Sequence, residues 1–502
     1  MHYSKVKSAI LAGLDVLNVE VEADLNMRSV RQELEIVGLG DTAIKESKKR
    51  VMSAIKNSGF EVPHGYITVN LAPGDAKKEG TLLDLPIAIA ILMASGKIEV
   101  HQEWLLIGEL GLDGKLRRVD GALPIMIAKS SSMNAIIPSD NIPEVSLLKG
   151  KRIYACDDLQ TVVRIMSQTE SFHEIEFKGI SVAQNSYEVD FSEVRGQELA
   201  KRALEISATG FHNVLMKGPP GVGKTMLARR FPTILPPMTF DEILESTKIY
   251  SIAGLLDGGP VTSRPFRSPH HSASLAAMVG GGDRAKPGEI TLAHNGVLFM
   301  DELPEFRRDV LEALRQPLED GIVTISRIKE THSYPARFIL IGSQNPCKCG
   351  WFGVEDGIHH CTCSIPEIER YNKKISGPIE DRIDIFIDVP KVDYDKYTSM
   401  KSSESSLKIR ERVMEAVEIQ MKRSGKLNGK MSASEVSKFC KLGEKEEDFF
   451  KNASKKLGLT ARVMEKMLKV SRTIADLAKS ENISLSHIAE ALQYRKRENL
   501  SI

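Results

Sequence analysis

The stretch Asn213-Val-Leu-Met-Lys-Gly218-Pro219-Pro220-Gly221-Val222-Gly223-Lys224-Thr225-Met-Leu-Ala-Arg-Arg230 decides the fold. A strand-like run at 213–216 passes through a glycine-rich turn into a helical pattern at 226–230, the strand–turn–helix context that a phosphate loop requires. Gly218, Gly221 and Gly223 let backbone N–H groups converge on a β-phosphate, with Pro219, Pro220 and Val222 completing the loop. Lys224 supplies a cation for the β- and γ-phosphates, and the Thr225 hydroxyl reaches Mg²⁺. ATP with Mg²⁺ is the ligand pair this loop predicts.

Downstream, Gly296-Val-Leu-Phe-Met-Asp301-Glu302 predicts a buried strand ending in two acids. Ligands of open α/β sheets bind at the carboxyl edge, so both carboxylates are expected beside the phosphates. Asp301 suits indirect Mg²⁺ binding. Glu302 suits polarisation of the attacking water, because phosphoryl transfer needs positioning and charge stabilisation more than covalent chemistry.

Outward from these motifs, apolar runs alternate with helical patterns from about 191 to 392, the rhythm of a parallel sheet covered on both faces. This predicts an α/β core over 190–395. Residues 1–180 carry strand-like 34–37, 67–71 and 104–107 with helical 44–56 and 85–93, an α+β unit. Helical patterns at 407–420, 433–439, 461–479 and 485–494 predict an all-α unit over 400–502. The aperiodic stretch at 181–190 and the serine run at 402–406 are the candidate boundaries.

Length agrees: 502 residues predict about three units at roughly 100 to 200 residues each. The 42% hydrophobic and 27% charged composition excludes collagen-like, coiled-coil-dominated and wholly disordered chains. With 68 Lys+Arg against 67 Asp+Glu the formal charge is +1, so nucleic-acid binding would need a local basic surface. The apolar stretch at 85–94 is about half of the ~20 residues a membrane-spanning helix needs. Acids at Asp15, Glu20 and Glu22 argue against a secretory signal. A cytoplasmic protein without a membrane partner is expected.

The phosphate loop, Asp301-Glu302, Asn345 after the strand-like 337–342, and Arg382 within Gly377-Pro-Ile-Glu-Asp-Arg-Ile-Asp together resemble the ordered motifs of an AAA+ ATPase. Arg264-Pro-Phe-Arg-Ser-Pro-His-His, Pro287-Gly-Glu-Ile-Thr-Leu-Ala-His, Leu314-Arg-Gln-Pro-Leu-Glu and His487-Ile-Ala-Glu-Ala-Leu-Gln-Tyr-Arg are similar to magnesium-chelatase-like ATPases of the YifB/ComM type. The similarity covers nearly the whole chain. It implies that Asn345 is a sensor holding the lytic water with Glu302, that Arg382 is an arginine finger for a neighbouring subunit's γ-phosphate, and that Arg462 is a second sensor. The plainer readings are an ion pair of Arg382 with Asp381 or Asp384 and a solvated surface position for Arg462. An arginine acting in trans requires a ring, which the resemblance makes a homo-hexamer.

Two inserts carry basic side chains. Arg284 and Lys286 lie in a glycine-rich turn, while Arg327 and Lys329 lie near the tip of a hairpin predicted from 323–326 and 333–337. In related motors such an insert faces the central pore, where rings of charge suit the phosphate backbone of branched or single-stranded DNA. Ordinary solvated turn residues are the alternative.

Cys347-Lys-Cys349 and Cys361-Thr-Cys363, with His359 and His360 before the second pair, offer four soft ligands for tetrahedral Zn²⁺. Reduced thiols and a regulated disulfide are the alternatives. Because the cluster begins two residues after Asn345, a bound ion would pin the sensor's loop. Cys156 and Cys440 read as packed residues.

The amino-terminal unit resembles the ribosomal-S5-like fold of Lon-type proteases at Lys78-Glu-Gly-Thr-Leu-Leu-Asp and Gly108-Glu-Leu-Gly-Leu-Asp-Gly-Lys-Leu-Arg-Arg-Val-Asp-Gly. Where that family carries its serine and lysine this chain has Leu82 and Ile125, which can neither attack a carbonyl nor take a proton. The fold class expected is therefore α/β: an AAA+ P-loop core, a proteolytically inactive S5/Lon-like α+β domain before it and an all-α lid after it. The activity expected is Mg²⁺-dependent ATP hydrolysis by a ring motor, and the resemblance implies ComM-like DNA branch migration in recombination or natural transformation. A chelatase-type motor inserting metal into a tetrapyrrole and a regulatory remodelling ATPase without nucleic acid are the rival readings.

Overall fold

A computed structural model describes residues 2–29, 32–38, 41–74, 78, 81–169, 172–179, 187–282, 286–326, 331–354, 359–391 and 403–495, with the backbone alone for 41–45. The chain begins with β1 (Tyr3–Ala12) and β2 (Asp15–Asn26), paired antiparallel over their full length. In β2, buried Val19, Val21, Ala23 and Leu25 alternate with Glu20, Glu22 and Asp24, so one face is core and the other is wet. Then come β3 (Glu33–Val37), β4 (Tyr66–Ala72), β5 (Trp104–Leu106), a small hairpin of β6 (Glu109–Leu110) with β7 (Leu116–Arg117), β8 (Asn134–Pro138) and β9 (Ile153–Cys156). Seven of these strands form one mixed sheet in the order β3-β4-β2-β1-β5-β8-β9. The apolar helix Asp84–Ala94 is buried nearly throughout and packs on β1 and β2. Cys156 is packed in the core of this unit.

The second sheet is wholly parallel. Its strands are β10 (Val214–Lys217), β11 (Phe266–Arg267), β14 (Val297–Met300), β17 (Ile339–Gln344) and β18 (Ile385–Asp388), in the order β11-β14-β17-β10-β18. The phosphate-loop strand β10 thus lies between β17 and β18, and the carboxyl ends of β10, β14 and β17 share one edge. Val297 to Met300 are each at most 1% exposed, as a strand covered on both faces requires. Two hairpins leave this core: β12 (Gly280–Gly281) with β13 (Lys286–Pro287), and β15 (Ile322–Ser326) with β16 (Thr331–Pro335). The tip residues Arg284, Arg327 and Lys329 lie outside the described residues.

Of the carboxyl-terminal helices, Ala433–Phe439, Glu444–Lys456, Ala461–Leu477 and Leu485–Gln493 enclose a core of their own, which contains Cys440, whereas Ser406–Ser424 buries Ile409 and Val413 in the core of the central unit. Arg202–Glu490 at 2.8 Å, Arg412–Glu205 at 2.7 Å and His212–Thr473 at 2.9 Å bind this unit to the central one. The serine run at the second candidate boundary is hydrogen-bonded to the central unit. Ser403 Oγ donates to Val194 O at 2.6 Å, and buried Ser406 Oγ accepts the Phe191 N–H at 2.8 Å and the Thr233 hydroxyl at 2.7 Å. The other boundary, near 181–190, falls mostly outside the described residues. No described helix is long and apolar enough to cross a membrane.

Candidate active site

The phosphate loop turns so tightly that its glycines are required. A Cβ on Gly218 would lie 2.3 Å from Val389 O, whereas one on Gly221, at φ +79°, would meet nothing within 4 Å. The loop is therefore pressed against the sheet on one side and open on the other. Lys224 opens the helix Lys224–Arg230 and is only 8% exposed. Its Nζ donates to Gly218 O at 2.5 Å, Pro219 O at 2.8 Å and Asn345 Oδ1 at 3.1 Å, all neutral acceptors. Burial lowers its pKa, while Asp301 and Glu302 oppose that shift from a distance. A buried ammonium with no carboxylate in ion-pair contact among the described residues fits an anionic ligand, and the donor set fits a nucleotide triphosphate.

Thr225 Oγ1 donates to Asp301 Oδ2 at 2.8 Å, which brings the loop hydroxyl and the acid at the end of β14 together as a hard-oxygen pair suited to Mg²⁺. Ser343 on β17 donates to the other oxygen of Asp301 and accepts the Glu302 N–H at 3.1 Å. Glu302 has φ +53°, an uncommon left-handed conformation for a side-chain-bearing residue. The turn leaves its carboxylate half exposed, 3.6 Å from His271 Nδ1. His271 is in ring contact with His270 at 4.1 Å between centroids and meets the edge of Phe306 at 6.5 Å.

Arg382 and Arg462 lie elsewhere. The carbonyl of Arg382 accepts from Asn213 Nδ2 at 2.8 Å, at the amino edge of the sheet, about 16 Å along β10 from the phosphate loop. Its guanidinium, 11% exposed, is paired with Glu319 rather than Asp381 or Asp384, and donates to Pro378 O at 2.5 Å. Arg462 is 3.8 Å from the same Glu319 and 3.5 Å from Asp381. Lys286 donates to Ala253 O at 3.2 Å and lies 3.7 Å from Asp120 of the amino-terminal unit.

The four cysteines converge. Their Sγ atoms all lie within 4.8 Å of one another, with 3.3 Å between Cys347 and Cys349, 3.7 Å between Cys347 and Cys361, and 3.6 Å between Cys349 and Cys361. Burial opposes ionisation of Cys349, but the backbone N–H groups of Trp351 and Thr362 and the neighbouring thiols bring it down to about 6.

Three family descriptions match consecutive parts of the chain: subunit ChlI of Mg-chelatase over 21–141, magnesium chelatase subunit ChlI over 190–397, and its C-terminal part over 403–495. The chain is 42% identical to competence protein ComM of Haemophilus influenzae over 98% of its own length and 96% of that protein's. It is 43% identical to YifB of Escherichia coli over 98% and 97%. The chain belongs to the magnesium-chelatase-like family of the YifB/ComM type. A 29% identity to the magnesium-chelatase 67 kDa subunit of Chlorobaculum parvum spans 32% of this chain and 23% of that one. As a magnesium-chelatase-like protein it has an AAA+ ATPase core, to which ATP and Mg²⁺ belong.

In this YifB/ComM-type chain, Ser343 and His271 belong to the site without a sequence motif that gives either a role. Ser343 lies on β17, two residues before Asn345, which follows the end of that strand, so its nearness to the sensor position is the one sequence signal that points at it. His271 was quoted only as part of the family stretch starting at Arg264. No spacing rule links it to Glu302, since the contact depends on β11 lying beside β14.

Proposed function

We propose that this chain is the subunit of a homo-oligomeric ring, a hexamer, that hydrolyses ATP with Mg²⁺ and drives branch migration of branched or single-stranded DNA in the cytoplasm. The observation that carries the hydrolytic part is the buried Lys224 ammonium, beside the Thr225–Asp301 pair and with no carboxylate in contact among the described residues. Bound Mg²⁺ offsets charge on the phosphate oxygens. Lys224 binds phosphate, Thr225 and Asp301 hold the ion, and Glu302 orients water and accepts its proton, with Asn345 holding the same water. Arg382 serves a neighbouring copy's γ-phosphate, which the distance of its backbone from its own phosphate loop supports, and Arg462 is the second sensor; each leaves Glu319 to do so.

Near-full-length similarity to a protein named for competence supports a role in the handling of incoming DNA. Arg284, Lys286, Arg327 and Lys329 face the DNA in this reading. The division into units at 1–180, 190–395 and 400–502 is supported by family matches over 190–397 and 403–495, which end close to the second and third units' limits, while the match over 21–141 lies inside the first. The S5/Lon-like kinship of the first unit belongs to the same reading. Leu82 and Ile125 pack in an apolar cluster, which supports a domain without protease activity. A structural Zn²⁺ on Cys347, Cys349, Cys361 and Cys363 completes it.

The test is branch migration of a synthetic four-way junction. ATP-dependent migration lost in Lys224→Ala supports the motor. ATP hydrolysis without DNA binding at low salt replaces it with the regulatory ATPase. The chelatase reading has the shorter, partial similarity in its favour and would show as ATP-dependent metal insertion into a tetrapyrrole once partner subunits are added.

A further inference from the structure

We infer that the four-cysteine loop is a metal-dependent clamp on the nucleotide pocket: Zn²⁺ on Cys347, Cys349, Cys361 and Cys363 holds Asn345 at Lys224 and presses Gly350 onto Pro220. This rests on the zinc reading above. A tetrahedral site with Zn–S near 2.3 Å places its sulfurs about 3.8 Å apart. The recorded separations of 3.3, 3.7 and 3.6 Å approach that tetrahedral edge and are far from an S–S bond. Two thiols come from each arm of the excursion, so one ion would cross-link arms that are eleven residues apart in sequence.

Both arms end on the pocket wall. From the first, the chain runs back through buried Pro346 to Asn345, whose Oδ1 accepts from Lys224 Nζ at 3.1 Å. Also on this arm, Gly350 N–H closes a turn on Cys347 O at 3.0 Å, and Gly350 at φ +89° sits so near the phosphate loop that a Cβ would lie 2.7 Å from Pro220 Cδ. The second arm leads from Cys363 into the helix Ile365–Asn372, whose buried Tyr371 lies close enough to the Asn345 backbone N–H for that group to ease ionisation of its hydroxyl. Asn345 thus lies between the two arms of the cysteine cluster, and the loop that cradles phosphate rests against Gly350 of the first arm. A tetrathiolate ion there has no open position for substrate, so its action is on positioning.

Full-length protein purified without chelator is assayed for zinc by elemental analysis. It is then titrated with a fluorescent ATP analogue and Mg²⁺ before and after zinc ejection by a mercurial, and again after thiol and Zn²⁺ are restored. The expected result is one zinc per chain, with ejection weakening nucleotide affinity by about tenfold or more and Zn²⁺ restoring it. Circular dichroism at each stage separates loss of grip from unfolding, and Cys361→Ser/Cys363→Ser, at the less buried arm, reproduces the loss without a mercurial. Gly350→Ala keeps its zinc and still binds nucleotide severalfold more weakly. Zinc at trace level in the purified protein removes the metal. A full complement of zinc whose removal leaves a folded protein with unchanged affinity, or Gly350→Ala binding like the parent, overturns the clamp and leaves the zinc site standing.

Discussion

The guanidinium of Arg382 is ion-paired with Glu319 of its own chain, at the edge of the sheet opposite the phosphate loop. A side chain in that position cannot reach its own chain's nucleotide. In a ring, a neighbour's γ-phosphate would compete with Glu319 for it. Arg382→Ala is therefore expected to lower ATP turnover about a thousandfold or more while ATP binding persists. Mixed with an equal amount of Lys224→Ala, also inactive, it should regain activity, because about a quarter of the interfaces in a random ring pair an intact loop with an intact arginine. Activity that stays absent in co-assembled mixtures would place the arginine's role within one chain.

Glu302 has a half-exposed carboxylate near His271 and lies beside the Thr225–Asp301 pair without contacting Lys224 directly. Removing its basicity but not its shape should leave nucleotide binding intact. Glu302→Gln is expected to hold ATP with unchanged affinity and to hydrolyse it at least about a hundredfold more slowly. Single-turnover kinetics decide the matter, and normal turnover would take Glu302 out of the mechanism.

Ser343 joins the two acids through a hydrogen bond to Asp301 and one from the Glu302 backbone. Hydrogen bonds to a charged group contribute ~1.5–3 kcal/mol each, so Ser343→Ala should loosen the Asp301 carboxylate and raise the Mg²⁺ concentration for half-maximal turnover about tenfold or more. Thermal stability should fall as well, because Ser343 is fully buried and both of its hydrogen bonds are lost. A Mg²⁺ dependence identical to the parent's would make Ser343 a packing residue.

Away from the site, Glu245 lies 3.0 Å from His294 Nε2 and 2.8 Å from Arg337. The His294 hydrogen bond, against an opposing burial effect and with help from Asn295 and Arg337, brings the Glu245 pKa down to about 2. The Arg337 N–H donates to His294 Nδ1 at 3.0 Å, so the proton of the neutral ring belongs on Nε2, facing Glu245. A carboxyl depressed on folding stabilises above its unfolded pKa, about 4.3, and that stabilisation fades as pH falls toward 2. The melting-temperature gap between the parent and Glu245→Gln should be constant from pH 7 to 5 and shrink from pH 5 to 3. A gap independent of pH would rule out this carboxylate as its source.

Legibility followed sequence locality. The phosphate loop and the acid-ended strand could be read because their chemistry and their secondary structure are encoded in the same few residues, and β10, β14 and the helix Lys224–Arg230 lie within a few residues of the predicted positions. The hairpin of β15 and β16 was equally local. The antiparallel pair β1 and β2, longest in the amino-terminal sheet, was not read, because β1 alternates only at its start and then runs through Ala9, Ile10 and Leu11. The helix Glu444–Lys456 escaped because its charged sequence buries little besides Phe450 and Ser454. The Arg382–Glu319 pair joins residues 63 positions apart across a turn of the fold, beyond any spacing argument.

At the serine run, hydroxyls rather than apolar contacts join the helical unit to the central one. Ser403 to Ser406 have the polarity of a linker, yet Ser406 is 3% exposed and its oxygen satisfies the backbone N–H of fully buried Phe191 at the start of the central unit. Ser406→Ala removes the acceptor and leaves that N–H desolvated and unpaired, an expected cost of ~1–3 kcal/mol. The same hydroxyl position also receives Thr233, so Ser406→Thr, which keeps the oxygen, should recover part of the loss. Because the bond spans residues 191 and 406, its loss should free the helical unit locally. Hydrogen exchange is expected to rise first at the start of the helix Ser406–Ser424 and at residues 191–194, and an unaltered exchange pattern with an unaltered melting temperature would show that the run is a linker after all.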